Sequence, residues 1–282
     1  MTLVASLLKL PRLASRPIIR TSQLFRTSST RLLGQRRREG QVKVLMETQV
    51  ENSKRPKILC LHGFRTSAVI LRTLIGRWPQ AVLEKLELDF LDGPFPARGR
   101  SDVEGLFDPP YREWYQISED FKEYRNFEEC LMYIEDYMLN RGPFDGLLGF
   151  SQGAFISAAL PGLQAQGLAF TRVPKVKFLI LISGAKFAGY KLGQPKLGAK
   201  AFSSPIECPS LHFIGERDFL KEAGEDLVGS FVDPVVVYHP QGHAVPRLDV
   251  KSEETILSFI ENIKHNCATS NKLPVIELKP SL

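Results

Sequence analysis

Short, almost uninterrupted apolar runs alternate along this chain with longer amphipathic stretches, and this alternation restricts the possible folds more than any other feature. The apolar runs predict strands at 57–61, 86–91, 144–150, 177–183, 210–215 and 235–238. The amphipathic stretches predict helices at 68–77, 126–140, 152–164, 221–230 and 252–264. Because strands this apolar are covered on both faces, the pattern predicts an α/β fold with a mostly parallel central sheet and helices on both faces.

The basic residues are concentrated at the N-terminus. The formal net charge of the 282 residues is +6, but residues 1–39 contain nine of the 37 Lys and Arg residues and only one of the 31 Asp and Glu residues. The rest of the chain therefore carries 28 basic and 30 acidic side chains. Since the predicted folded part has no excess of positive charge, the composition does not indicate a nucleic-acid binder.

Residues 1–45 have the composition of an organellar transit peptide, rich in Arg, Ser, Thr and Leu and poor in acidic residues. This predicts import into a mitochondrion or plastid, with a disordered basic tail as the alternative. Translation from Met46 would omit the basic segment, which predicts an additional cytoplasmic form. No apolar run approaches the roughly 18 to 20 residues that cross a bilayer, so we expect no transmembrane segment.

The segment Gly149–Gly153, with the sequence GFSQG, joins a predicted strand to a predicted helix. This is the setting of a nucleophile elbow, a sharp turn in which flanking glycines leave room for neighbouring backbone and a serine hydroxyl is lifted to the edge of the sheet. We therefore expect Ser151 to be a nucleophile. The alternative is a glycine-rich turn with a capping serine.

A serine hydroxyl needs a base to become a good nucleophile, and in this fold the acid that orients the base comes between the two in the chain. Asp218 follows a predicted strand, on a loop at the end of the sheet where ligands gather. We favour Asp218 as the acid. Other acidic residues also lie downstream of Ser151 and stay open as alternatives, namely Glu216, Asp226 and Asp233.

Two histidines remain as candidates for the base. His239 immediately leaves a predicted strand, whereas His243 lies in the following loop, where an imidazole can reach over the nucleophile. We favour His243. The ordered set Ser151, Asp218 and His243, each on a loop after a strand, then has the composition and chain order of a catalytic triad.

Acyl transfer also requires donors directed at the developing oxyanion. These are usually the backbone N–H of the residue after the nucleophile and one from the first strand-to-helix loop. The predicted donors are the N–H groups of Gln152 and Phe64, with His62 and Gly63 shaping the turn. The alternative for this turn is an ordinary glycine that ends a strand.

Residues 92–125 interrupt the alternation with a long, Pro- and Gly-punctuated aromatic segment. Segments this long in compact domains are commonly functional, and we expect this one to be a lid. Its aromatic side chains are predicted to form the wall of a pocket for an apolar acyl chain, with packing in the core as the alternative. These residues are Phe95, Phe107, Tyr111 and Trp114.

The four cysteines are far apart in the sequence and include no C-x-x-C pair. This spacing indicates neither a zinc site nor a redox pair. We expect no metal and no organic cofactor.

With these residues identified, the chain resembles the FSH family of serine hydrolases, a branch of the α/β-hydrolase superfamily. The resemblance rests on ILCLHGFR at 58–65, LDGP at 91–94, FDGLLGFSQGA at 144–154 and GH at 242–243. It implies an α/β-hydrolase domain over residues 56–265, followed by a tail at 266–282, with Ser151 as nucleophile, Asp218 as acid and His243 as base. The implied substrates are small carboxylic esters or thioesters. An acyltransferase or a non-catalytic binding protein on the same fold is the alternative.

Overall fold

Six strands form one sheet in which every neighbouring pair is parallel. The computed structural model describes residues 55–118, 123–187 and 195–270, which belong to a compact unit, Asn52–Leu282. The strands are β1 (Lys57–Leu61), β2 (Glu87–Leu91), β3 (Gly146–Phe150), β4 (Phe178–Ile182), β5 (Ser210–Gly215) and β6 (Val235–His239). Their order across the sheet is β6-β5-β4-β3-β1-β2. The predicted parallel sheet is confirmed.

Helices connect most of these strands. They are α1 (Ala68–Ile75), α2 (Gln80–Leu83), α3 (Phe127–Arg141), α4 (Gln152–Ala165), α5 (Lys221–Val228) and α6 (Val250–Ser270). The short helix α2 was not predicted, since its single turn is too brief to show a period. Helix α6 continues through Ser270, past the predicted domain end at 265. The predicted transit peptide at 1–45 and residues 271–282 lie outside the described residues.

Helices cover both faces of the sheet, which is why the side chains of its inner strands β3 and β4 are buried along their whole length. Successive side chains of β4 alternate between two core clusters, with Leu179 in one and Ile180 in the other. The first cluster also takes in the buried faces of α3 and α4, and the second those of α1 and α6. This alternation follows from the period of two in a β-strand and confirms the predicted three layers.

The strand order brings the loops of the candidate site to one edge. Strand β1 lies between β2 and β3, so the chain turns to opposite sides of β1 when it forms these two strands. Ligands of such sheets bind beyond the carboxyl ends of the strands at this switch point. The loop after β1 and the turn after β3 are therefore neighbours.

Part of the segment predicted as a lid is a core element. Two short antiparallel strand pairs form in it, Phe95–Pro96 with Arg112–Glu113 and Gln116–Ile117 with Tyr124–Arg125. Between them, the side chains of Trp114 and Tyr115 are fully buried in the first core cluster. Residues 119–122 of the predicted lid lie outside the described residues.

Over the residues that the structure describes, no helix is both long enough and apolar enough to span a membrane.

Candidate active site

Ser151 occupies a sharp turn between β3 and α4. Its backbone has φ 52° and ψ −118°, a conformation that costs most L-residues free energy. A Cβ on Gly149 would lie 2.5 Å from Cα of Ala154, and one on Gly153 would overlap the carbonyl oxygen of Leu61. Both glycines are therefore required by close backbone contacts, as the elbow pattern predicts.

The structure brings Ser151, His243 and Asp218 into one hydrogen-bonded chain. Nε2 of His243 lies 2.9 Å from Oγ of Ser151, and Nδ1 lies 2.9 Å and 3.1 Å from the two carboxylate oxygens of Asp218. The Asp218 side chain is 1% exposed and that of His243 is 17% exposed. The three loops that follow β3, β5 and β6 thus converge on one point at the edge of the sheet.

The protonation state of Asp218 determines the tautomer of His243. Burial alone would raise the pKa of Asp218, but its hydrogen bonds and attraction to His243, together with the N–H of Leu220, lower it below the ordinary value. An ionised carboxylate only accepts hydrogen bonds, so Nδ1 of His243 carries the proton that is donated to it. The neutral imidazole therefore presents Nε2 as an acceptor to the Ser151 hydroxyl.

Two of the other candidates for the acid pair with lysines, and the other candidate for the base lies away from Ser151. The carboxylate of Glu216 pairs with Lys221 at 2.6 Å, and that of Asp226 pairs with Lys186 at 3.0 Å. His239 is buried at the end of β6, and neither of its ring nitrogens has a hydrogen-bond partner among the described residues. None of these three side chains reaches Ser151.

Two aromatic rings flank the imidazole of His243. The ring of Phe150 lies 5.3 Å from it and that of Phe219 lies 4.5 Å from it, measured between centroids. Phe219 is nevertheless 64% exposed. Phe219 is not among the predicted site residues, although its position next to Asp218 is a signal that points to it.

The loop after β1 passes directly beside Ser151. A Cβ on Gly63 would lie 3.4 Å from Cβ of Ser151 and 3.0 Å from the ring of Phe150. Phe64, the next residue, is partly exposed. Within the described part of the chain, neither the Phe64 N–H nor the Gln152 N–H donates a hydrogen bond, which leaves both donors for a ligand.

His62 holds this loop through both ring nitrogens. Nδ1 lies 2.7 Å from the carbonyl oxygen of Gly63, and Nε2 accepts the N–H of Gly93 at 2.9 Å. Burial lowers the pKa of His62 to about 4, so the ring is neutral at physiological pH. Since Nε2 accepts, Nδ1 carries the proton and donates to Gly63.

The predicted pocket residues do not share one environment. Phe95, Phe107 and Tyr111 are partly exposed, and the Tyr111 hydroxyl donates to the carbonyl of Phe107. Trp114 is 0% exposed, and its Nε1–H donates to the carbonyl oxygen of His62 at 2.8 Å. In this structure Trp114 packs in the first core cluster, which was the alternative for these aromatic residues, and it presents no exposed surface.

In the ranges 55–118, 123–187 and 195–270, no three His, Cys, Asp or Glu side chains are grouped so that they could hold a metal ion.

The chain is similar to several known proteins. The chain is 31% identical to Esterase AGAP003155 of Anopheles gambiae, over 73% of this chain and 77% of that protein. It is 32% identical to Esterase OVCA2 of Bos taurus, over 73% of this chain and 95% of that protein. The solved structure of SOBER1 from Arabidopsis thaliana is 19% identical, with a TM-score of 0.48, over 74% of this chain and 99% of that one. The family model described as Serine hydrolase (FSH1) matches residues 51–255. The chain is therefore a serine hydrolase that belongs to the Serine hydrolase (FSH1) family.

Proposed function

We propose that the protein hydrolyses carboxylic esters or thioesters through an acyl-enzyme formed on Ser151. The single observation that carries this proposal is the continuous hydrogen-bonded chain from Oγ of Ser151 through His243 to Asp218. Similarity to proteins named esterases supports the same reaction class.

In the first half of the reaction, Oγ of Ser151 attacks the acyl carbon while Nε2 of His243 takes the hydroxyl proton. Asp218 stabilises the imidazolium that forms and keeps the ring in its orientation. The oxyanion accepts hydrogen bonds from the N–H groups of Phe64 and Gln152. His243 then gives its proton to the leaving alcohol or thiol, and water releases the acid by the reverse sequence.

The surroundings of His243 favour an apolar acyl or alcohol group. Phe219 presents an exposed aromatic face in contact with the imidazole, so a substrate that reaches the base also meets this ring. Burial of apolar surface stabilises by about 25 cal/mol per Å². We therefore propose Phe219, and not Trp114, as an aromatic side chain that contacts the substrate.

Labelling with a fluorophosphonate tests the activated serine directly. The full chain, Ser151→Ala and His243→Ala are treated with the probe, and the modified peptide is identified by mass spectrometry. We expect modification at Ser151 in the wild type and none in the two variants. His239→Gln is the matched control, because it alters the histidine that was the alternative candidate for the base and should leave labelling unchanged.

The products then distinguish hydrolysis from transfer. Wild-type protein is given an acyl ester and an acyl thioester, with and without a competing alcohol. Release of the free acid as the main product, with or without the alcohol, supports the hydrolase. A new ester as the main product in the presence of the alcohol would instead assign an acyltransferase. A wild type that neither reacts with the probe nor turns over either substrate would assign a binding protein.

We also propose that residues 1–45 direct the protein to a mitochondrion or plastid, on the strength of their Arg-rich and acid-poor composition. A fusion of these residues to a fluorescent protein should be imported by one of the two isolated organelles. Replacing the arginines by glutamines should abolish import. A cytoplasmic form that starts at Met46 would be detected as a cytosolic protein whose first peptide begins there.

A further inference from the structure

Residues 112–115 form hydrogen bonds with both of the backbone segments that carry the proposed oxyanion donors. We call these four residues the strap. It is one of the least exposed parts of the described chain outside the sheet, since Glu113 is 1% exposed and Trp114 and Tyr115 are 0% exposed. Such burial keeps water away from its hydrogen bonds and makes them electrostatically stronger.

Three contacts join the strap to the loop after β1. The N–H of Arg112 donates to the carbonyl of Thr66 at 2.7 Å, and Nε1–H of Trp114 donates to the carbonyl of His62 at 2.8 Å. The carboxylate of Glu113 pairs with Nε of Arg65 at 2.7 Å. These contacts reach the residues on both sides of Phe64.

The strap is joined to the start of α4 by the side chain of Gln152. Its Oε1 accepts the N–H of Trp114 and its Nε2 donates to the carbonyl of Tyr115, both at 3.3 Å. Gln152 is 3% exposed. The carbonyl of His62 also accepts the N–H of Gly153 at 3.1 Å, so one oxygen binds both the strap and α4.

We infer that the strap sets the separation of the Phe64 and Gln152 N–H groups, with Trp114 and the Gln152 side chain as positioning residues for the oxyanion. This inference rests on the proposed function. Phe64 lies in a loop, and one backbone hydrogen bond, from the N–H of Gly153 to the carbonyl of His62, joins this loop directly to α4. Catalytic donors need placement to within about 0.5 Å. The strap supplies it because it is bonded to both segments at once.

Trp114→Phe in the full chain tests the inference, because it keeps an aromatic ring and removes the N–H that bonds His62, together with part of the buried indole volume. We expect kcat to fall about 10- to 100-fold with KM within about twofold, since a displaced donor costs less than the 100- to 1000-fold of a lost one. An alkylboronic acid, whose adduct with Ser151 carries an anionic oxygen, should bind weaker by a similar factor.

Trp78→Phe is the matched control. Trp78 is 3% exposed, and its Nε1–H donates to the carbonyl of Pro246 at 3.0 Å, so the variant loses the same type of buried bond on the other face of the sheet. We expect its kcat and its affinity for the boronic acid both to stay within about twofold of the wild-type values. Equal losses of unfolding free energy in the two variants, with equal kinetics, would overturn the inference in favour of a purely structural role.

Gln152→Met tests the other end of the strap, since it removes both amide hydrogen bonds and keeps the backbone N–H. If Trp114 and Gln152 act through one strap, the double variant should lose little more kcat than the worse single variant. Independent, multiplicative losses would contradict a shared strap.

Hydrogen exchange separates a failure of this inference from a failure of the proposed function. The amides of residues 62–66 should exchange faster in Trp114→Phe than in Trp78→Phe, whether or not the protein hydrolyses the esters tested. Unchanged exchange would overturn the strap even in an active enzyme. If the fluorophosphonate does not label the wild type, the proposed hydrolase function is wrong. Hydrogen exchange would then still test whether the strap holds the loop at residues 62–66.

Discussion

Asp218 is the buried end of the hydrogen-bonded chain that runs through His243 to Ser151. It lies behind the imidazole, accepts hydrogen bonds from His243 and from the N–H of Leu220, and is almost fully buried. Its lowered pKa means that the carboxylate is ionised throughout the physiological range. The orientation and tautomer of His243 both follow from this charge.

Replacing Asp218 by Asn should lower kcat by about 10³- to 10⁴-fold, because an amide that donates to Nδ1 stabilises the wrong tautomer of His243. Steady-state hydrolysis of a short ester at pH 7.5 measures this loss. Glu216→Gln is the control, since Glu216 pairs with Lys221 at the surface, and it should change kcat less than about threefold. Equal losses in the two variants would remove Asp218 from its proposed role.

The same substitution has an effect on stability that depends on pH. The folded-state pKa of Asp218 lies below its ordinary value of 3.8, so the carboxylate stabilises the folded protein above the unfolded pKa and loses this contribution as the pH falls through the folded value. Urea unfolding should therefore show a wild-type advantage over Asp218→Asn that is constant above about pH 5 and shrinks on acidification. An advantage that grows at low pH would contradict the assignment.

Phe219→Ala should alter substrate preference while sparing the chemistry. We expect kcat/KM for a decanoyl ester to fall about tenfold, since about 1.4 kcal/mol of apolar contact corresponds to this factor. The acetyl ester should change less than about twofold. Tyr238→Ala removes another half-exposed aromatic ring, from β6, and should change neither. A parallel fall for both esters would show that Phe219 supports His243 without contacting the chain.

At the scale of elements, the turn between β3 and α4 stores conformational strain. Ser151 has a positive φ that glycine adopts readily. Both Ser151→Gly and Ser151→Ala remove the nucleophile, but only glycine relieves the strain. Ser151→Gly should therefore be more stable to urea than Ser151→Ala by about 1 kcal/mol. Equal midpoints would mean that the backbone relaxes when the serine is removed.

The contact of α4 with β1 depends on the absence of a side chain at Gly153. Gly153→Ala places a methyl group against the backbone of Leu61 and His62, and we expect a loss of about 2 to 3 kcal/mol in the free energy of unfolding. Gly229→Ala is the control, because its φ is −62° and its nearest contact is an ordinary 3.5 Å from Asp226. Its unfolding midpoint should stay within experimental error or rise.

At the scale of the whole molecule, two core clusters separated by the sheet stabilise the described domain. Leu163 of α4 belongs to the first and Ile260 of α6 to the second, and each is at most 1% exposed. Leu163→Ala and Ile260→Ala should each lower the free energy of unfolding by about 2 to 5 kcal/mol. Since the sheet separates the two cavities, the losses should add in the double variant. A strong departure from additivity would show coupling through the sheet.

Much of this architecture could be predicted from local sequence patterns. The strands β1 and β5 have the predicted bounds, and the other four differ by at most two residues. Continuous apolar runs and helical spacing report burial directly, because each residue's face is set by the period of its own element. The elbow is predictable for the same reason, since its glycines and serine are adjacent in the chain.

The sequence by itself thus determined the six strands of the parallel sheet, the longer helices and the position of Ser151 in its turn. Only the tertiary structure decided which histidine contacts that serine and which acid contacts that histidine, that Trp114 lies inside the core, and that Phe219 lies against the ring of His243. Those contacts join residues between 24 and 92 positions apart, and loops of similar composition are compatible with many arrangements in space. Their positions follow from the order of the strands and the packing around them, which no local pattern encodes.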